Sequence, residues 1–339
     1  MQLDQINRRK FSTLLSGAAV AWPLAAHAQQ FGKVYRVALV HPAAPVAEMS
    51  ENGNLRFRAF FGELRRLGYV EGRNLIVERY SAEGRTEHYS QLAHDVVRLK
   101  PDLIFTVGVL MAQRFKSATT TLPIVLVVTD PVAYGLTTSL AHPSDNLTGV
   151  TVDTGMEIWG KRLALLKETV PGVSRVGYLA TRAVWEAPQG SAVREAARQL
   201  GISLFGTPLE EPLQEAEYRR VLASMSQDRL EALVVSELAE SLSNLKVIVE
   251  LAEKARLPAI YPWREAVELG GVMAYAEDLP DLYRHTARQI DEILKGVKPQ
   301  DIPFYQPTKF ELILNLKAAK ALGLIFPSSL LGSADEVIE

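Results

Sequence analysis

The sequence of 339 residues contains no cysteine, which excludes a disulfide framework, thiolate zinc sites and a cysteine nucleophile. It also lacks the Gly-x-x-x-x-Gly-Lys-Ser/Thr, Gly-x-Gly-x-x-Gly, Gly-x-Ser-x-Gly and His-Glu-x-x-His motifs of nucleotide-binding proteins, serine hydrolases and zinc proteases. Its six histidines are scattered, and even His88 and His94 do not share a helical face. We therefore expect no catalytic residue, no metal site and no cofactor.

The chain has no excess of either charge. It carries 37 basic and 39 acidic residues, a net charge of −2, so it lacks the basic surface that a nucleic-acid-binding protein needs. The 47% hydrophobic and 22% charged fractions are typical of a globular protein. The length suits two domains of roughly 150 residues each.

The first 28 residues differ from the rest. Arg8, Arg9 and Lys10 form a basic start, Leu14–Leu24 is a short apolar run, and Ala26-His27-Ala28 fits a cleavage site. The run is shorter than the roughly 20 residues that span a bilayer. We predict a signal peptide over residues 1–28 and a periplasmic protein; a membrane-anchoring or amphipathic helix is the alternative. Both the twin-arginine and the general secretory route remain open.

After the signal, apolar strands alternate with amphipathic helices in two successive series. Such alternation predicts parallel sheets with right-handed crossovers, and two series predict two similar lobes. The strands are predicted at residues 34–40, 74–80, 103–107 and 124–128, then at 175–180, 202–207, 232–235, 259–261 and 272–275.

Extended connectors near residues 150, 277 and 307 predict three passes between the lobes. The fold class is therefore α/β, with two Rossmann-like doubly wound lobes joined by a three-segment hinge that closes on a ligand. Lobe 1 is expected to comprise residues 31–149 plus 278–306, and lobe 2 residues 150–277 plus 307–339.

Several segments resemble the periplasmic solute-binding proteins of ABC transporters with the type 1 fold, in a branch related to tryptophan- and tyrosine-binding members. The order and spacing of the segments carry the resemblance over nearly the whole chain. The segments are Arg8–Phe11, Trp22–Ala26, Leu67–Asn74, Asp130–Val132 with Gly135 and Leu136, Asn146–Val150 and Pro307–Leu324.

The resemblance implies a monomer that captures a small organic solute and presents it to an ABC permease in the inner membrane. An amino acid, aromatic or branched, is the first solute class, and an aromatic or other organic acid is the second. One segment departs from the family, because Thr181–Pro188 replaces an Asn-Pro-rich loop and introduces Trp185. A periplasmic sensor of the same fold is the alternative function, and an enzyme on this fold is the third hypothesis.

Ligands of such lobes bind at strand carboxyl ends and helix amino ends, where free N–H groups favour a carboxylate. We expect Gly108 to allow close approach, Asp130 to accept an ammonium group and Arg264 to bind a carboxylate. The alternatives are a turn or N-cap role for Asp130, a solvated Arg264, and core positions for the aromatic residues. The candidate ligand-binding residues are His41, Gly108, Val109, Thr129, Asp130, Tyr134, Thr181, Trp185, Ser236, Glu237, Tyr261, Arg264 and Tyr275.

Overall fold

The first series of strands forms a parallel sheet that is five-stranded within the described residues. The computed structural model describes residues 33–143, 146–152, 155 and 157–339, so the predicted signal peptide lies outside the described residues. The chain from Tyr35 to Glu339 clusters as one unit. Sheet order is β2-β1-β3-β4-β5. The strands are β1 (Tyr35–His41), β2 (Leu75–Ser81), β3 (Leu103–Val107), β4 (Ile124–Val128) and β5 (Leu147–Thr151).

The second series forms a mixed sheet in the order β12-β11-β10-β9-β8-β6-β7. Only the β10–β11 pair is antiparallel among the strand pairs of the described chain. The strands are β6 (Arg175–Leu179), β7 (Ser203–Phe205), β8 (Ala232–Val235), β9 (Ala259–Tyr261), β10 (Met273–Glu277), β11 (Phe310–Asn315) and β12 (Glu336–Ile338).

Helices cover both faces of each sheet. No helix in the described part of the chain is long and apolar enough to cross a membrane. The helices are α1 (Leu55–Arg66), α2 (Tyr89–Arg98), α3 (Val109–Ala118), α4 (Glu157–Thr169), α5 (Arg182–Glu186), α6 (Pro188–Gln199), α7 (Glu215–Gln227), α8 (Ala239–Ser243), α9 (Leu245–Lys254), α10 (Arg264–Glu268), α11 (Leu279–Leu294), α12 (Leu316–Ala321) and α13 (Ser328–Ser333).

Alternation along the strands divides lobe 1 into two cores. Val37 and Leu39 of β1 lie in one core with the aromatic residues of α1, whereas Ala38 and Val40 lie in the other with α2 and α3. This division follows from the period of two in a strand, which sends successive side chains to opposite faces. The doubly wound fold expected from the sequence is therefore confirmed.

The sequence predicts that residues 146–151 only connect the two lobes, but the structure shows that they also form a strand. Leu147–Thr151 adds to the edge of the first sheet as β5, with Gly149 opposite Leu126 of β4. A Cβ atom at Gly149 would lie 2.1 Å from the Leu126 carbonyl oxygen, so the close pairing requires glycine. The chain passes to lobe 2 only after this strand, and residues 153, 154 and 156 of that passage lie outside the described residues.

The chain returns to lobe 1 through α11, which packs against α1, β4 and β5. It then pairs with β5, where the Tyr305 N–H donates to the Gly149 carbonyl at 2.9 Å, before entering the second sheet as β11. The passages near residues 277 and 307 lie where the sequence places them. The exact residue boundaries of the two lobes stay a prediction.

Candidate functional site

A cavity of about 850 Å³, including its opening to solvent, lies between the two lobes. Its walls are mainly apolar, with Val107 and Val127 from lobe 1 and Leu238 and Leu242 from lobe 2. The cavity lies at the carboxyl ends of β1, β3, β4 and β8, which is where open parallel sheets bind ligands.

His41 ends β1 and presents a hydrogen-bond donor to this cavity. Its Nδ1 atom accepts the N–H groups of Ala43 at 3.1 Å and Ala44 at 2.8 Å, so the proton of the neutral ring is on Nε2. Burial, with the charge of Arg56 adding to it, lowers the pKa of His41 well below its ordinary value. The Nε2 atom has no hydrogen-bond partner among the described residues.

Arg56, the second residue of α1, is a buried cation in the cavity wall. Only 6% of its surface is exposed, and its Nε atom has no hydrogen-bond partner in the described part of the chain. The guanidinium carbon lies 5.2 Å from the centroid of the Phe57 ring. Near it, Val109 and Leu110 begin α3, whose first N–H groups have no partner within the helix. Arg56, His41 and the start of α3 therefore make the lobe 1 side suited to an anion.

Glu237 lies opposite, in the loop after β8. Its Oε1 atom accepts a hydrogen bond from Nη1 of Arg162 at 2.5 Å, and its Oε2 atom has no partner among the described residues. Burial raises the pKa of Glu237, and Arg162 opposes this shift. Glu240, three residues later, accepts a hydrogen bond from the hydroxyl of Tyr89, and burial raises its pKa too. The lobe 2 side therefore carries carboxyl groups.

Hydrogen bonds join the two lobes across the cleft. The Tyr89–Glu240 bond is one, and the Tyr134 hydroxyl donates to Oε1 of Gln189 at 3.1 Å. At the rim, the N–H of Leu213 donates to the Gly84 carbonyl at 3.0 Å. These contacts require the lobes to be close together, so the structure represents a closed conformation.

The cavity brings together part of the candidate set. Its lining includes His41, Gly108, Val109, Thr129, Tyr134 and Glu237. The sequence points to these residues because they lie at the carboxyl ends of β1, β3, β4 and β8 or within six residues after them. Ligand contact itself stays a prediction for each of them.

Asp130, Thr181 and Ser236 lie near the cavity but do not line it. Asp130 accepts the N–H groups of Val132 at 3.1 Å and Ala133 at 2.9 Å, so it is the turn residue that the sequence left as an alternative. Thr181 caps α5, and Ser236 is fully buried beneath the loop. For Asp130 and Thr181, local backbone interactions account for the residue type, whereas the Ser236 hydroxyl has no hydrogen-bond partner among the described residues.

The aromatic and basic candidates of lobe 2 also lie elsewhere. Trp185 packs on Tyr178 with ring centroids 5.9 Å apart, and Tyr261 lines a separate cavity within lobe 2. Arg264 forms ion pairs on the surface, one of them with Glu336. Tyr275 stacks on Phe310 at 5.6 Å. None of these four residues lines the cavity. Trp185 and Arg264 lie in α5 and α10 rather than at a strand end, and Tyr261 and Tyr275 pack against other side chains of lobe 2.

Sequence reasoning missed several cavity residues, including Arg56, Gln189, Glu240 and Tyr283. A signal for Arg56 exists, since it belongs to the same buried face of α1 as Phe57 and Phe60. An arginine on an apolar helix face is rarely buried without a partner. The same signal marks Arg162, which is buried among the apolar residues of α4.

The family model described as "ABC transporter substrate binding protein" matches residues 55–338. A tyrosine-binding protein from Clostridioides difficile is 24% identical over 269 residues, covering 79% of this chain and 76% of the relative. The ABC domain in complex with L-Trp from Streptococcus pneumonia is 23% identical to this chain and superposes on it with a TM-score of 0.78. The match covers 90% of this chain and 99% of the other.

A ligand-free, open structure of a substrate binding protein with adhesive properties from Clostridium difficile is 23% identical. It covers 90% of this chain and 99% of its own, with a TM-score of 0.59. These structures share the two-lobed fold of the type 1 periplasmic-binding proteins with the present chain. Because the family model spans residues 55–338, the protein belongs to the ABC transporter substrate binding protein family.

Proposed function

We propose that this protein is the solute-binding component of an ABC importer and that it captures an amino acid with an apolar, aromatic or branched side chain. The observation that carries the proposal is a set of three buried polar atoms on the cavity wall. They are Nε of Arg56, Nε2 of His41 and Oε2 of Glu237, and none of the three has a hydrogen-bond partner among the described residues. Buried polar atoms are normally paired, so unpaired ones in a cavity favour a polar ligand.

These atoms are arranged for a zwitterion. Two donors, Arg56 and His41, belong to lobe 1 and suit the ligand carboxylate, and the first N–H groups of α3 reinforce them. The acceptor Glu237 belongs to lobe 2 and suits the ammonium group. In the same cavity wall, Trp263 and Tyr283 offer aromatic surface to an apolar side chain.

An aromatic or other organic acid, the second solute class, satisfies the lobe 1 donors but leaves the free oxygen of Glu237 unpaired. Leaving a buried acceptor unpaired costs about 1–3 kcal/mol. The amino acid is therefore the better match. The relative named as tyrosine-binding and the similar structure holding L-Trp support the same class.

The rest of the assignment follows the family. We propose that residues 1–28 are a signal peptide that directs the protein to the periplasm, and that a monomer delivers the solute to a permease in the inner membrane. The protein is expected to release its ligand unchanged, because binding energy drives closure of the lobes rather than a reaction.

The test is a binding screen of protein beginning at Gln29, unfolded and refolded to remove carried-over ligand, against amino acids and aromatic acids. A ligand at about 100 times its Kd stabilises the fold by roughly 2.7 kcal/mol, which raises Tm by several degrees. For the amino acid that binds, calorimetry then compares Arg56→Met with Arg58→Met, a matched change at an exposed position of the same helix.

Loss of a buried charged partner costs about 2–5 kcal/mol, so Arg56→Met should raise Kd by roughly 30-fold or more while Arg58→Met leaves it unchanged. Binding of aromatic acids but of no amino acid would reject the amino-acid assignment. Equal Kd values for the two variants would reject Arg56 as the carboxylate-binding residue.

A further inference from the structure

Arg162 is a fully buried arginine that the cavity itself does not include. Its Nε and Nη2 atoms both donate to the Tyr275 carbonyl, at 3.1 and 3.0 Å, and its Nη1 atom donates to Glu237. The Trp159 ring lies against the guanidinium, 5.0 Å from its carbon to the ring centroid. The guanidinium is therefore held in one orientation, in which Nη1 donates to the carboxyl group of Glu237.

A second carboxyl group shares this guanidinium. Glu277 ends β10, its Oε2 atom is 4.0 Å from Nη2 of Arg162, and both of its oxygens lack a hydrogen-bond partner among the described residues. One guanidinium neutralises one carboxylate, and a second buried carboxylate beside it would be an uncompensated charge. The cluster of Arg162, Glu237 and Glu277 therefore retains a proton on one of its two carboxyl groups.

The contacts decide which group keeps the proton. Glu237 accepts a hydrogen bond at 2.5 Å, whereas Glu277 has only a distant ion-pair contact. Burial and then the charge of Glu237 raise the pKa of Glu277 well above its ordinary value, against the effect of Arg162. Glu265 also faces Glu277 and adds to this shift, and the Tyr178 hydroxyl faces Glu237 and Arg162. Burial and the charges of Glu237 and Glu265 therefore favour a neutral Glu277.

We propose that Arg162 is a positioning residue that keeps Glu237 ionised and aimed at the ammonium group of the ligand, while Glu277 stays protonated. This inference rests on the proposed function, since it concerns the amine end of the same ligand. It makes the Arg162–Glu237 pair the source of discrimination between an amino acid and its analogue without the amino group. Such a charge-assisted contact corresponds to a discrimination on the order of 10- to 100-fold.

The first experiment needs no ligand. Protein labelled with ¹³C at the glutamate carboxyl carbon is titrated by NMR, with Glu237→Gln and Glu277→Gln used to assign the two signals. At pH 7 we expect a protonated carboxyl signal that disappears in Glu277→Gln and an ionised signal that disappears in Glu237→Gln. Two ionised signals, or a protonated Glu237, would overturn the proposal.

The second experiment measures the ratio of Kd values for an amino acid and its analogue without the amino group. The pairs are L-tryptophan with 3-(indol-3-yl)propanoate, L-tyrosine with 3-(4-hydroxyphenyl)propanoate, and L-leucine with 4-methylpentanoate. We expect the wild type to favour the amino acid at least 10-fold and Glu237→Gln to lose most of this preference. Arg162→Met should lose it at neutral pH and regain part of it as the pH rises, because Glu237 then ionises without its partner.

Lys161→Met, at an exposed position of the same helix, is the matched control and should keep the wild-type ratio. A merely structural role for Arg162 would weaken both ligands equally, so an unchanged ratio in Arg162→Met overturns the proposal. If Arg162→Met does not fold, Arg162→Lys replaces it. This variant keeps the positive charge but lacks the planar guanidinium group, so its ratio of Kd values should lie between those of the wild type and Glu237→Gln. A wild-type ratio would again overturn the proposal.

The two experiments separate the inference from the proposed function. A wild type that binds none of these compounds refutes the amino-acid assignment, while the NMR titration still decides the charges of Glu237 and Glu277. A wild type that binds both members of a pair equally leaves a solute-binding role standing but overturns the role given to Arg162.

Discussion

The contact between Gly84 and Leu213 at the rim of the cleft gives a test of lobe closure. Gly84 follows β2 in lobe 1 with φ of +75°, and its carbonyl accepts the N–H of Leu213 from lobe 2. A Cβ atom added here would lie 2.7 Å from the Leu213 carbonyl oxygen. Gly84→Ala should therefore clash in the closed conformation and not in an open one.

Two costs of this substitution can be separated. The left-handed backbone costs an alanine about 1 kcal/mol in either conformation, which lowers Tm but not affinity. The clash raises the free energy of the closed conformation alone, by about 1–3 kcal/mol for overpacking. Because binding of the ligand requires closure, Kd should rise roughly 5- to 150-fold.

Gly72→Ala is the matched control. Gly72 has φ of +81°, and a Cβ atom there would meet no heavy atom within 4 Å in the described structure. Both variants should show a similar drop in Tm, and only Gly84→Ala should weaken binding in calorimetry and reduce the compaction that X-ray scattering detects on ligand addition. Equal Kd values for the two variants would refute the view that this contact belongs to the closed conformation.

Two further predictions concern stability. Glu63 of α1 accepts hydrogen bonds from Arg66 of the same helix and from Arg288 of α11. The hydrogen bond from Arg66 is the main reason that the pKa of Glu63 is lowered to about 2. A carboxyl group with a lowered pKa stabilises the fold at pH values above its ordinary pKa near 4.5, and this stabilisation is lost as the pH falls towards 2. The difference in unfolding free energy between wild type and Glu63→Gln should therefore shrink over that pH range. A constant difference would contradict this prediction. Trp185→Phe should lower the unfolding free energy by about 1 kcal/mol, since the indole packs on Tyr178. The same substitution should change Kd less than twofold. A larger loss of affinity would show that Trp185 contributes to ligand binding.

The sequence predicts most of this fold because hydrophobic periodicity decides it. Leu103–Val107 and Ile124–Val128 are buried, β-branched and bounded by turns, and both strands have the bounds expected from the sequence. The sequence does not predict β5, because its pattern of Thr148, Gly149 and Thr151 is typical of a loop. Its pairing with β4 depends on tertiary contact. The five-residue α5 and α8 are too short to show a helical period.

The site was predictable only on the side where backbone rules apply. A residue that follows a strand is positioned by the sheet, which is why His41, Thr129 and Glu237 were identified. Arg56 and Arg162 enter from helices, and their direction depends on packing between elements distant in sequence. Tyr134 lines the cavity and Tyr261 does not, since the sequence alone does not distinguish a cleft tyrosine from a core tyrosine.

The distribution of charge between the lobes connects recognition with closure. The donors Arg56 and His41 belong to lobe 1, and the acceptor Glu237 belongs to lobe 2, so neither lobe alone pairs both ends of a zwitterion. In the proposed binding mode, a ligand with both ends would bridge the lobes and lower the free energy of the closed conformation by its contacts to each. A carboxylic acid without an amino group would contact only the lobe 1 donors, whether the lobes are open or closed, and should therefore favour closure less. Discrimination for the amine and closure of the cleft should consequently be lost together when Glu237 is neutralised.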